Sequence, residues 1–356
     1  MTTDLSPRAP GLNEPAVTGW LERTLQSVEP PFRFTRIGEG QSNLTFRVED
    51  AAGRSVVLRR PPLGEILASA HDVLREHRIL SCLSAVGAPV PRTLAACDDL
   101  AVTQAPFFVM EHVDGTILGR VSIAERFDPP VRTGAGRGLA ETLAEFHALD
   151  VDAIGLGDLK RPGSLIERQL RRWTRQWHAS KTRELPLIDQ LAEQLEVRQP
   201  DERESALVHG DYHLLNTILG DDGRVRAVLD WELCTVGDPL ADVGLMLAYW
   251  DEHGAAAGRA DALFREPVTA LAGFPSAADL ADTYARASGR DLAGIGYWVA
   301  FAYWKIAIIV EGVYRRWLND PTNGADAGTL RPAVGRLAEN ARAALAGDDE
   351  LSGELN

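Results

Sequence analysis

One stretch of the chain, His209 to Glu232, reads "HGDYHLLNTILGDDGRVRAVLDWE" and carries three side chains able to take a proton or hold a cation: Asp211, Asn216 and Asp230. Asp211 and Asn216 stand five residues apart in a polar loop. Two apolar runs, "NTIL" and "RVRAVL", flank a turn and separate that loop from Asp230. A carboxylate in such a loop can accept a proton from a substrate hydroxyl. An amide oxygen and a second carboxylate, carried in at the end of a strand, can ligate a hard cation. Phosphoryl transfer from a nucleotide asks for little more than a positioned hydroxyl, a base and metal ions bridging the phosphates. The order predicts Asp211 as general base and Asn216 and Asp230 as Mg²⁺ ligands. His209 and His213 are four residues apart, yet Gly210 breaks the helix that a metal-binding pair at this spacing needs.

Phosphates also need a cradle and a cation. "GEGQSN" offers Gly38 and Gly40 in a turn followed by Ser42 and Asn43, whose backbone N–H groups can lie over phosphates. It has no third glycine, so it fits neither the dinucleotide fingerprint nor the full glycine loop of kinases, and an ordinary hairpin turn is the competing reading. The first lysine of the chain is Lys160, so a cation near this turn must be arginine. Arg59 and Arg60 in "VLRRPP" are adjacent on a strand and therefore face opposite sides of it.

The elements that position these residues differ along the chain. From Phe34, "FTRIGEGQSNLTFRVEDAAGRSVVLRRPP" alternates apolar and polar residues around the turn-like "DAAGR", which predicts a β-hairpin. "SAHDVLREHRILSCLSAVG" has Val73, His77, Leu80 and Leu83 at helical spacing and stops at Gly87, Pro89 and Pro91. "AAC" and "PFFVMEHV" read as further strands. Beyond "DGTIL" the pattern turns helical over Gly138–Ala148, Leu165–Ser180, Pro186–Leu195, Asp238–Trp250 and Ile295–Leu318, with strands only around the opening stretch. Expected boundaries are a flexible lead-in at 1–30, a small β-rich lobe at 31–113 and a large helical lobe at 114–356.

Composition sets outer limits. A chain of 356 residues with 45% hydrophobic and 25% charged residues is that of an ordinary soluble protein larger than one average domain. Cys82, Cys97 and Cys234 form no CxxC pair, which suits a reducing compartment such as the cytoplasm. "MTTDLSPRAPGLNEPAV" lacks the pattern of a signal peptide. The long apolar segment "GIGYWVAFAYWKIAIIVEGVYRRWL" contains Lys305 and Glu311, which predicts a buried helix rather than a membrane span. A net charge of -14 argues against nucleic acid and acidic membranes as partners. The charge is uneven: residues 1–100 hold 11 Arg and 12 acids, and the remainder holds 26 basic residues against 39 acidic ones.

"LVHGDYHLLNTIL" with "VLDWELCTVGDPLADVG" resembles the catalytic loop of the aminoglycoside phosphotransferase family, small-molecule kinases with a protein-kinase-like fold. "VLRRPP", "SAHDVLREHRIL", "VMEHVDG", "RQLRRWTRQWHASKT" and "YWKIAIIVEGVYRR" resemble the branch fused to acyl-CoA dehydrogenases in animals, and the similarity runs over about residues 34–340. The resemblance implies an α+β, bilobal fold with a small antiparallel β-rich N-lobe and a large, mostly helical C-lobe. It implies ATP and Mg²⁺ as cofactors, Arg59 in place of the usual strand lysine, and Glu76 as its helix partner. Adenine would bind backbone groups of Glu111 and Val113. His209 becomes a structural brace, and Asp242 of "DPLAD" a hydrogen-bonding support for the catalytic loop.

The acceptor is read from Lys160 to Arg183, which holds eight basic residues and one acid inside the acidic half. Ile166, Leu170, Trp173 and Trp177 form an apolar helical stripe; Arg168, Arg171, Arg172 and Arg175 form a second stripe displaced by two residues. A solvated helix face is the plain reading of such a run. The alternative is an anionic acceptor, since arginine forks suit phosphate groups. Three functions are weighed: a kinase of a small hydroxyl compound, a hydroxyacyl-CoA first; a kinase of aminoglycosides or other antibiotics or amino alcohols; and a nucleotide-binding pseudokinase acting as a regulator. Hydrolase and dehydrogenase motifs are missing. Acceptor identity, ATP against GTP, the choice of Arg59 or Arg60, and oligomeric state are left open by the sequence.

Overall fold

The structure is a computed structural model that describes residues 11–38, 43–62, 72–202, 204–250, 266–320 and 327–353. Two compact units divide the chain: 1–114 with 226–232, and 115–225 with 233–356. Thus 226–232, which ends in Asp230 and its two neighbours, joins the first unit rather than the large lobe in which the sequence reading left it.

The first unit is built on five antiparallel strands, β1 (Arg33–Ile37), β2 (Leu44–Glu49), β3 (Ser55–Arg60), β4 (Thr93–Cys97) and β5 (Phe107–Glu111), in the order β1-β2-β3-β5-β4. Two helices cover it, α1 (Glu14–Thr24) and α2 (Val73–Ala85), with a short α3 (Leu100–Thr103). The consecutive phenylalanines of β5 show which helix takes which face, because neighbouring strand residues point to opposite sides. Phe107 meets Trp20 of α1 edge-on at 4.8 Å, and Phe108 meets His77 of α2 at 5.8 Å.

Helix α1 corrects the expectation of a flexible lead-in over 1–30 at Glu14–Thr24; residues 1–10 lie outside the described residues. Asn13 caps it, Pro15 sits in its first turn, and Val17 and Leu21 are fully buried in the same core as Phe46, Leu58 and Phe107. Val17, Leu21 and Leu25 follow i, i+4, i+8, a stripe short enough to be hidden beside the polar residues before it. Helix α2 starts at the Asp72 cap and ends before Gly87, whose φ of +76° only glycine adopts without strain.

The second unit holds the short α4 (Val121–Ala124), then α5 (Pro129–His147), α6 (Leu165–Ser180) and α7 (Pro186–Val197). Strand β6 (Ala206–Val208) leads into the 209–216 loop, β7 (Thr217–Leu219) follows it, and β8 (Val225–Val228) carries the chain across to the first unit. Strand β9 (Thr235–Gly237) pairs antiparallel with β6 and leads to α8 (Leu240–Ala248). Helices α9 (Ala277–Ser288), α10 (Ile295–Asn319) and α11 (Ala327–Gly353) complete it; α1, α9 and α11 were not expected from the sequence.

Ile295–Asn319 is long and apolar enough to cross a membrane, yet 72% of its apolar window is buried inside the protein. It is the central helix of this unit, packed on α6, α7, α8 and α11 through Trp298, Phe301, Trp304 and Ile308. Lys305 and Glu311 in its middle are also buried: Glu311 accepts from Thr182 and from Arg183 at 3.0 Å, and Lys305 donates to Gly210. Helix α6 buries the expected stripe of Ile166, Leu170, Trp173 and Trp177 behind a Ser164 cap.

Candidate active site

In the first unit the centre of charge is Arg59. Register places it opposite Phe108, and directly paired residues of antiparallel strands share a face, so Arg59 lies on the α2 side of the sheet. Its Nε stands 2.9 Å from Glu76 Oε2, in ion-pair contact though not aligned for a hydrogen bond, and its Nη2 donates to Asp230 Oδ1 at 2.5 Å. Arg60 points to the α1 side, where its guanidinium is spent on the carbonyls of Pro61, Gly11 and Thr103. Of the two arginines left open by the sequence, only Arg59 meets the carboxylates.

Glu76 is fully buried, and desolvation pushes its carboxyl up to about 7 against the pull of Arg59; Asp230 and Glu232 add to the rise. The backbone N–H of Trp231 donates to it and opposes that rise. Arg59 is held more firmly protonated than usual: burial works against its charge, and the carboxylates of Glu76, Asp230 and Glu232 outweigh burial. Asp230 has φ +66°, a left-handed conformation costing a non-glycine residue roughly 1–3 kcal/mol, of the kind that clusters at functional sites. One of its carboxylate oxygens takes Arg59, and Oδ2 has no hydrogen-bond partner among the described residues.

Glu232 is a residue of this cluster to which the sequence reading gave no role. Its Oε2 accepts from Asn43 Nδ2 at 2.9 Å, and its carbonyl accepts from Arg75 at 3.0 Å. Asn43, expected to cradle phosphate, is buried, and its Oδ1 has no partner among the described residues. Gly38 has φ +80°, as a turn requires; Gly40 and Ser42 lie outside the described residues. At the end of β5 the Glu111 side chain takes the Arg92 N–H at 3.0 Å, and its own N–H donates to the Arg92 carbonyl. Val113 follows outside the strand, and its N–H bonds no backbone carbonyl among the described residues.

In the second unit the 209–216 loop is fixed from below by Asp242 of α8. Its carboxylate accepts from the N–H groups of His209 at 2.6 Å and Gly210 at 2.8 Å, and faces His147 Nε2 at 3.4 Å. Neutral His147 must donate through Nε2 to this acceptor-only group, so its Nδ1 accepts from Tyr284 Oη at 2.7 Å. Burial holds His147 below its ordinary range, with Asp242 pulling the other way, and pushes Tyr284 up to about 12. Gly210 turns at φ +84°, and a Cβ there would meet the Leu233 carbonyl at 2.9 Å. His209 Nδ1 accepts the Asp211 N–H at 3.1 Å, which makes it a brace.

These supports present Asp211. Its Oδ2 accepts from Asn216 Nδ2 at 3.0 Å and lies 3.4 Å from His213 Nε2, while the His213 ring packs on Tyr249 at 4.3 Å. Burial alone would raise the Asp211 carboxyl, but His213 first, then Lys305 and His209, hold it well below the usual carboxylate range. It stands as an ionised acceptor at neutral pH. Asn216 spends its amide N–H groups on Asp211, and its Oδ1 has no partner among the described residues. Oxygen donors of this kind, an amide and a carboxylate, fit a hard divalent cation; no cluster of three His, Cys, Asp or Glu suited to a metal occurs among the described residues.

Beside Gly210, in the same unit, a solvent-open cleft is walled by Leu165 and Trp173 of α6, Leu245 of α8, and Trp298 and Phe301 of α10. The arginine stripe of α6 does not act as one surface. Arg168 braces the preceding loop at the carbonyls of Arg161, Pro162 and Gly163; Arg172 lies 5.3 Å over Trp173 at the cleft; Arg171 and Arg175 are exposed.

Residues 33–293 match the phosphotransferase enzyme family model known as APH. The chain is 33% identical over 314 residues to acyl-CoA dehydrogenase family member 10 of Mus musculus, covering 86% of this chain and 29% of that protein. It is 32% identical over 306 residues to member 11 of Homo sapiens, covering 84% of this chain and 38% of that protein. It therefore spans less than half the length of either relative. Among solved structures, a Ralstonia eutropha protein named as an aminoglycoside phosphotransferase has a TM-score of 0.76 at 29% identity, over 94% of this chain and 99% of that one. An aminoglycoside phosphotransferase complexed with AMP-PNP and hygromycin B shares the fold, with a TM-score of 0.59 at 16% identity over 91% of this chain and 98% of that one.

Proposed function

Because the chain belongs to the APH phosphotransferase enzyme family and is a small-molecule kinase by that membership, we propose that it moves the γ-phosphate of Mg-ATP to a hydroxyl of an anionic small molecule, a hydroxyacyl-CoA first. The observation that carries the reading is Arg59, an arginine ion-paired with the buried Glu76 and bonded to Asp230. A strand cation paired with a helix glutamate is the phosphate-binding arrangement of kinases, and a guanidinium keeps the charge and adds a fork. A protein of the same fold holds AMP-PNP, an analogue of ATP, which supports the choice of nucleotide.

Asp211 takes the acceptor proton, and the supports beneath it keep its carboxylate aimed and ionised. Asn216 Oδ1 and Asp230 Oδ2, each without a partner among the described residues, are the oxygens proposed to hold Mg²⁺, which when bound would offset negative charge on the phosphates. Val113 N–H, which bonds no backbone carbonyl among the described residues, is the donor proposed for adenine. A pseudokinase reading is disfavoured because Asp211 and Asp230 are both present.

The test is a screen of the purified chain with Mg-ATP against hydroxyacyl-CoAs, aminoglycosides and amino alcohols, following ADP and phosphorylated product. Hydroxyacyl-dependent ADP release supports the proposal. Kanamycin phosphorylation without hydroxyacyl turnover replaces the acceptor, and nucleotide binding without transfer to any compound favours the regulator.

A further inference from the structure

Lys305 is 93% buried, at 7% relative exposure, on the face of α10 that lines the cleft beside Gly210. An ammonium has three N–H donors, and Lys305 uses one, to the Gly210 carbonyl at 2.8 Å. It forms no ion pair within 4 Å among the described residues, and the other two donors have no hydrogen-bond partner among them. Burying a lysine without a contacting carboxylate is costly, so such a group is kept where something else completes its shell.

Two cations meet at one wall of the cleft, and the Asp211 carboxylate acts on Lys305 from the neighbouring loop. Lys305 lies 5.7 Å over the Trp173 ring, and Arg172 lies over the same ring at 5.3 Å. Among the described residues one carboxylate lines the cleft, Asp242, and its oxygens are committed to His209, Gly210 and His147. Leu165, Leu245, Trp298 and Phe301 supply apolar walls, and Thr235 a hydroxyl. Gln169 adds an amide whose oxygen already takes Trp173 Nε1 at 2.8 Å, leaving N–H donors. Donors and positive charge set in aromatic walls fit a ligand with an apolar body and an acyl oxygen, and they disfavour a polyamine.

We propose that Lys305 is a specificity-determining residue of the acceptor site: its spare N–H donors receive an acyl oxygen of the acceptor, a carboxylate in a free hydroxy acid or the carbonyl of its thioester, while the apolar part lies against Trp173, Trp298 and Phe301. This rests on the kinase reading above for the word acceptor. The binding itself does not. Lys305 thereby joins ligand recognition to the loop that presents Asp211, through the Gly210 carbonyl.

The experiment is calorimetric titration of the full chain, with Mg-AMP-PNP present, using octanoate, octanoyl-CoA, octanol and octylamine, none of which can be phosphorylated through a chain hydroxyl except octanol. Wild type is expected to bind octanoate or octanoyl-CoA at least about tenfold more tightly than octanol or octylamine, the scale of one charge-assisted hydrogen bond. The tighter of the two acyl probes identifies the free acid or the thioester as the source. Lys305→Met should erase the preference while leaving AMP-PNP affinity unchanged. Should that variant fail to fold, Arg172→Met, which removes the exposed second cation, should lower octanoate affinity about threefold. Equal binding of all four probes, or a preference unchanged in Lys305→Met, overturns the inference. Turnover of a screened acceptor by Lys305→Met at unchanged KM also overturns it and leaves the kinase reading standing. An acyl preference lost in Lys305→Met, with no compound phosphorylated by wild type, supports the site and removes the kinase reading.

Discussion

Arg59 Nη2 donates to Asp230 Oδ1 at 2.5 Å, joining a β3 strand residue to one that follows it by 171 positions. The bond unites the two positions that the sequence assigned to phosphate and to metal. It is one of several bonds that tie 226–232 to the first unit, with those from Asn43 and Arg75 to Glu232 and from Val228 N–H to the Pro89 carbonyl.

Arg59→Ala should weaken Mg-ATP binding by about tenfold or more, the scale of a lost charge-assisted contact, and Arg60→Ala should not. Titrating both variants with Mg-AMP-PNP decides it, with melting curves run alongside because Arg59 also partners the buried Glu76. The reverse ranking would move the role to Arg60.

Asp230→Asn should weaken nucleotide binding in Mg²⁺ and flatten the Mg²⁺ dependence, since a carboxylate ligand to a hard cation becomes an amide. Metal titrations at fixed nucleotide give the comparison, and an unchanged Mg²⁺ midpoint contradicts the assignment.

His147 predicts a pH effect on stability. Burial holds its folded pKa below the ordinary value of 6.5, so the unfolded chain binds more protons as pH falls through that value. Its contribution is therefore present above about 6.5 and is lost as pH drops below it. The melting temperature of wild type should fall between pH 7.5 and 5.5, and His147→Gln should fall less over the same range. Parallel slopes for the two proteins would show that His147 does not titrate on unfolding.

Arg171 and Arg175 are exposed on α6, and their replacement by glutamate should raise the acceptor KM while leaving that for ATP unchanged. The wild-type acceptor KM should rise with salt as screening weakens the attraction. Salt-independent KM values would return these arginines to an ordinary solvated face.

Much of this was legible in the residues. Alternation around "DAAGR" announced the β2–β3 hairpin, and the Ile166, Leu170, Trp173, Trp177 stripe announced the buried face of α6. Helix α1 was not, because its stripe is short and follows a polar start. Helix α9 was not either, although its Ser276–Asp279 capping box and Gly289 stop are local signals. Glu232 and Lys305 were hidden for a different reason. Each owes its place to partners far away in sequence, Asn43 at 189 positions and Gly210 at 95, which no local pattern encodes.

Asp211 carries the central claim, and single-turnover transfer from γ-labelled ATP to the best acceptor of the screen tests it most directly. Asp211→Asn keeps the side-chain shape and removes the proton acceptor, so transfer should slow by about 10²-fold or more while nucleotide affinity stays near that of wild type. Transfer at a near-normal rate in Asp211→Asn would contradict the account.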